Sequence, residues 1–97
     1  MEEPFEEIQI LWDPQKAWAN IRKHKVSFEE AETVFFDPLM TTKQDPDHSI
    51  SERRFLTLGL SCNQRMLLIT HTDDPGQIRI ISARQPTRSE RNDYQND

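Results

Sequence analysis

Ile8, Ile10 and Trp12 alternate with Gln9 and Leu11, a period of two that predicts a first strand; the acidic residues before it place it near a sheet edge. Asp13 is a good N-cap and Pro14 suits the first helical position, so a helix over 14 to 23 or 24 follows. Its buried stripe reads as Ala17, Trp18 and Ile21, with Lys16, Asn20 and Lys23 on a shared flank. Ser27 and Glu30 have the spacing of a capping box, with Val26 placed to staple onto Ala31. That box opens a second helix running to about Phe35, with Phe28, Ala31, Val34 and Phe35 inward. Asp37 and Pro38 stop it.

Residues 39–42 read as a short strand and 44–49 as a polar, proline-broken surface loop. Stretches 54–60, 66–72 and 77–83 are rich in branched and aromatic residues, and turn residues at 61–64 and 73–76 join them into an antiparallel meander. Thr87 and Glu90 form another capping box after Pro86, so a short last helix runs to about Tyr94. The sum is an α+β fold: a strand, two helices, an antiparallel sheet of three or four strands, and a terminal helix.

At 97 residues the chain holds one domain, with an acidic lead over 1–7 and a tail over 95–97. It is 34% hydrophobic and 30% charged, with a mean hydropathy of −0.85, which leaves a modest core. No apolar run approaches the roughly 18 residues of a membrane span, and the N-terminus lacks the pattern of a signal peptide. A single cysteine, Cys62, excludes an internal disulfide and a thiolate zinc cluster. A cytoplasmic protein is expected. The net charge of −5 resides at the ends: residues 8–91 hold twelve Lys or Arg against eleven Asp or Glu. A near-neutral body with grouped arginines can still hold a phosphate.

From Trp12 to Tyr94 the chain resembles the BrnT toxins. The resemblance is carried by Asp13, Pro14, Gln15 and Lys16 with Asn20; by Lys23 and His24 before the run from Val26 to Ala31; and by Val34, Phe35, Asp37 and Pro38. It continues through Asp47, His48 and Ser49, then Glu52, Arg53, Arg54 and Phe55. It is most specific in the run from Arg79 to Arg84 followed by Thr87, Arg88, Glu90, Arg91 and Tyr94. The resemblance implies a RelE-like fold and an endoribonuclease toxin of a type II toxin–antitoxin pair. It also implies a BrnA-like antitoxin that wraps the toxin and binds operator DNA. The family usually has glycine where Lys25 stands, and its members are often more basic than this chain.

Cleaving RNA without a metal needs a base for the ribose 2′-hydroxyl, cations around the phosphorane-like transition state and a proton for the leaving oxygen. No cofactor is expected. His24, at a helix end between Lys23 and Lys25, sits in a setting that lowers its pKa toward a neutral base, and the same place suits a capping histidine. Arg54, Arg79 and Arg84 at strand ends are suited to phosphate; the competing reading is salt bridges to Glu52, Glu90 or Asp37. In a regular strand Arg79 and Arg84 fall on opposite faces. His24, Arg54, Arg79 and Arg84 are thus the candidate catalytic set, with Lys16, Asn20, Lys23, Arg65, Arg88, Arg91 and Tyr94 as candidate RNA contacts.

Arg88 and Arg91 also read as a solvated face, and Tyr94 as a packing residue. His71 reads as a satisfied core histidine, Trp12 and Trp18 as core, and Asp45, Asp47 and His48 as an Asx-type turn rather than a metal site. A non-catalytic toxin-fold module that binds the antitoxin and tunes operon repression is the alternative function. A metal-dependent nuclease stands third.

Overall fold

A computed structural model of the chain describes residues 8–48 and 52–94, so the acidic lead, the tail and Ser49 lie outside the described residues. Strand β1 (Gln9–Trp12) is followed by helix α1 (Pro14–His24), helix α2 (Phe28–Thr33) and a 3-10 turn (Val34–Phe36). Then come β2 (Thr41–Gln44), a 3-10 turn (Pro46–His48), β3 (Phe55–Leu60), β4 (Met66–His71), β5 (Gln77–Arg84) and α3 (Arg88–Arg91). The sheet order is β1-β5-β4-β3-β2. The meander over β3, β4 and β5 is as the sequence predicts, and the sheet grows to five strands because an outer strand joins each side. β2 pairs antiparallel with β3, and β1 pairs parallel with β5, the long excursion through both helices allowing the parallel return.

Helices α1 and α2 cover one face of the sheet. Val26, Phe28, Ala31 and Val34 meet Leu67, Ile69, Ile80 and Ala83 there, all fully buried. Burial of a side chain such as Phe28 contributes about 1.5–3 kcal/mol. Ser27 caps α2 by accepting from the Glu30 amide, but the Glu30 carboxylate does not complete the box; it is taken by Arg65 and Ser61. The box at Thr87 and Glu90 is complete. Gly59 lets the chain after α2 lie against β3, since a Cβ there would meet Val34 Cγ1 at 3.0 Å and Met40 Cβ at 3.1 Å.

Helix α1 departs from the predicted stripe. Trp18 is 66% exposed, whereas Asn20 is 6% exposed and is the one buried residue of the helix. The cause lies in β5. β1 covers its outer edge only as far as Ile80, and from there the Asn20 carboxamide takes over. It accepts from the Ala83 amide at 3.1 Å and donates to the carbonyls of Ala83 (2.8 Å) and Val26 (2.9 Å). α1 ends at Lys25, whose φ of 62° is the left-handed conformation that favours glycine. Lys25 adopts it with its amide bonded to the Ile21 carbonyl.

Candidate nucleic-acid face

The sheet face opposite α1 and α2 holds the candidate arginines, and a β-bulge decides how. Thr70 pairs with Ser82 and His71 with Ile80, which leaves Ile81 as an extra residue on β5. Ile80 and Ala83, three apart, therefore both face the core, so Arg79 and Arg84 both lie on the other side. The regular alternation that separates them in the sequence is corrected here. Arg54, one residue before β3, belongs to the same face, because its neighbour Phe55 stacks on His71 on the helix side.

The three arginines form two stations rather than one. Glu52 bridges Arg54 (3.2 Å) and Arg79 (2.7 Å). Arg84 grips Glu90 with two parallel bonds of 2.9 and 3.0 Å, which hold the Glu90 carboxyl down at about 2. Arg79 and Arg84 lie five positions apart on β5 and are held by different carboxylates, Glu52 and Glu90. Of the three salt-bridge partners weighed from the sequence, Glu52 and Glu90 are found, whereas Asp37 accepts instead from Tyr94 and the Leu39 and Leu60 amides.

His24 ends α1 on the Arg84 side. Partial burial, then the charges of Lys23 and Arg84, push its pKa below the ordinary histidine value and favour the neutral imidazole. Lys16 and Lys23 are exposed on either side of Asn20 along α1. Asn20 itself is committed to the fold, and so is Arg65. The Arg65 guanidinium bonds both Glu30 oxygens (2.6 and 3.0 Å) and the Lys25 carbonyl, tying the β3–β4 turn to the end of α1 and holding Glu30 at about 2. Arg88 and Arg91 are exposed on α3.

Tyr94 donates to Asp37 at 2.6 Å, which latches the segment after α3 to the end of the sheet; burial and that bond push the phenol up to about 12. His71 is 2% exposed on the core side. Its Nδ1 donates to the Thr72 carbonyl and its Nε2 accepts from Thr57, a satisfied core histidine whose pKa burial lowers. Asp47 donates its amide to Asp45 Oδ1, the expected Asx turn. Among the described residues no group of three His, Cys, Asp or Glu is placed to hold a metal. No described helix is long and apolar enough to cross a membrane.

Sequence reasoning missed a cavity of about 360 Å³ on the same face, between the sheet and the C-terminal segment. Leu56, Leu58 and Leu68 line it with Thr41, Thr42, Lys43, Glu90 and Asp93. Only the pairing of β2, β3 and β4 brings those residues together, and no local motif marks them.

A family model described as the ribonuclease toxin BrnT of type II toxin–antitoxin systems matches residues 12–90. Among solved structures, the ribonuclease toxin BrnT of Brucella abortus is similar, with a TM-score of 0.60 and 20% identity. The match covers 84% of this chain and 99% of that one, and at this identity it speaks for the fold. No curated protein sequence matches the chain.

Proposed function

The chain belongs to the BrnT family of ribonuclease toxins of type II toxin–antitoxin systems, and on that premise we propose that it is a metal-independent endoribonuclease whose chemistry centres on His24 and Arg84. The observation that carries the reading is the bulge in β5, which puts Arg84 on the same face as the Arg54–Arg79 pair, opposite α1 and α2. An RNA strand laid along β5 would meet two arginine stations, the Arg54–Arg79 pair with its net positive charge and Arg84 held by Glu90.

At the Arg84 station the neutral His24 imidazole accepts the 2′-hydroxyl proton and the alkoxide attacks the adjacent phosphorus. The Arg84 guanidinium, already oriented by Glu90, stabilises the charge on the phosphorane oxygens, and the 5′ oxygen leaves with a proton from water. Arg54 and Arg79, which share one carboxylate and so keep a net charge of +1, hold a neighbouring phosphate. Lys16 and Lys23, exposed along α1, with Arg88 and Arg91 on α3, add attraction for the strand.

The partner in this reading is a BrnA-like antitoxin that covers the same face and carries the operator DNA-binding half. Expression of the chain with and without that antitoxin, following growth and RNA integrity, tests the reading. Arrest with RNA cleavage that the antitoxin reverses supports it, and intact RNA at full growth removes it. A non-catalytic module that only binds antitoxin is favoured by one observation, that each of the three arginines already meets a carboxylate. The same expression experiment separates the two.

A further inference from the structure

We infer that the cavity on the open face is a nucleobase pocket that selects guanine at the nucleotide beside the Arg84 station. This rests on the nuclease reading for its place in the reaction. The floor is apolar, with Leu58 and Leu68 almost fully buried beneath it, and a base laid there leaves water at little cost to the protein. At about 360 Å³ the cavity lies near the small end of ligand pockets, which run from roughly 300 to 1,000 Å³, and suits one base-sized group. It adjoins the reacting centre: Leu68 pairs directly with Arg84 across β4 and β5, and Glu90 belongs to both.

The charge of the rim decides the class of occupant. Lys43 faces Asp93 at 3.6 Å and Arg84 is paired with Glu90, so the four charges cancel. A neutral, flat group with polar edges fits such a rim better than the basic or acidic side chain of a protein partner. Glu90 is saturated by Arg84 and the Thr87 amide, which leaves Asp93 to read the base. Its carboxylate stands on the exposed side of the cavity and meets Lys43 through one oxygen. A carboxylate only accepts hydrogen bonds, and guanine alone offers two adjacent donors on its Watson–Crick edge, N1–H and the N2 amino group. Adenine, cytosine and uracil each place an acceptor beside their donor, which a carboxylate repels.

The test uses the full chain with carbon-13-labelled leucine methyls and a short 2′-O-methyl oligouridine carrying a single guanine, inosine or adenine. The methylated ribose cannot be cleaved, so binding is read apart from chemistry. Guanine is expected to bind about tenfold tighter than inosine, which lacks the N2 amino group, and than adenine. The resonances of Leu56, Leu58 and Leu68 should move on binding, and Asp93→Asn should erase the preference. Exposed ion pairs such as Lys43–Asp93 contribute little to stability, so this variant keeps its fold. Equal affinities, a preference that survives Asp93→Asn, or leucine shifts produced by the antitoxin and not by RNA would each overturn the proposal. Cleavage of unmodified RNA is measured alongside. Guanine-selective binding without cleavage sinks the nuclease reading alone, and cleavage without selectivity sinks the pocket alone.

Discussion

Replacing Asn20 by alanine separates a structural residue from a ligand-binding one. The side chain makes three hydrogen bonds, of 2.8, 2.9 and 3.1 Å, to the backbone of Ala83 and Val26, at an edge of β5 that no strand covers. Each is worth about 1 kcal/mol net, and the Ala83 amide and carbonyl, left with no partner in a buried seam, add desolvation cost. The expected loss is about 3 kcal/mol, a large share of the roughly 5–15 kcal/mol that holds a small domain together. At about 4–8 °C per kcal/mol for a domain of this size, the midpoint of thermal unfolding should fall by about 12–24 °C. Urea titration should show a lower midpoint at unchanged slope. Asn20→Asp should fare no better, because a carboxylate repels the two carbonyls that the amide serves. A loss under 1 kcal/mol in Asn20→Ala would refute the edge-capping argument and return Asn20 to the list of RNA contacts.

Other consequences are as direct. Arg65 holds the Glu30 carboxyl at about 2, against 4.5 for a free glutamate, so its contribution to stability is complete above pH 4.5 and is lost as pH falls toward 2. Acid titration of Glu30→Gln should show lower stability at neutral pH and a shallower acid loss than the parent; identical curves would remove the pair from the account. If His24 is the base, the acidic limb of the cleavage profile lies below the ordinary histidine value, and Lys23→Met should move it upward by removing one of the charges that lower it. An unmoved limb would assign that ionisation to another group. Lys25→Gly should stabilise the fold by about 0.5–1 kcal/mol, because glycine adopts the φ of 62° without the penalty that lysine bears, offset in part by the looser unfolded chain. A destabilised Lys25→Gly would mean that the Lys25 side chain, whose ammonium donates to the Arg22 carbonyl, contributes more than the strain removes.

Much of the fold is legible where local chemistry decides it. Asp13 stands at the N-cap of α1 without a side-chain cap bond and Pro14 opens the helix, Ser27 and Thr87 cap the later helices, and the branched runs give β3, β4 and β5 with their turns. What escapes is decided across the sheet. The burial of Asn20 follows from an uncovered edge more than sixty residues away, so a helical stripe scored on apolarity alone puts Trp18 inside in its place. The bulge at Ile81 has no signature in the run from Arg79 to Arg84, yet it reverses the conclusion drawn from alternation and puts both arginines on one face. The candidate site is legible in kind, as arginines near strand ends with Glu52 and Glu90 as partners. Its division into two stations, and the leucine-floored cavity beside one of them, depend on pairing that no single stretch of sequence contains.

The measurement closest to the central claim is cleavage of a defined RNA by the purified chain in excess chelator, with the new ends identified chemically and Arg84→Met run beside the parent. The account predicts cleavage that the chelator does not slow, ends bearing a 2′,3′-cyclic phosphate, and a rate lower by about 100-fold or more in Arg84→Met, the scale on which a single transition-state donor acts. Cleavage abolished by the chelator, or an Arg84→Met variant as active as the parent, would contradict it.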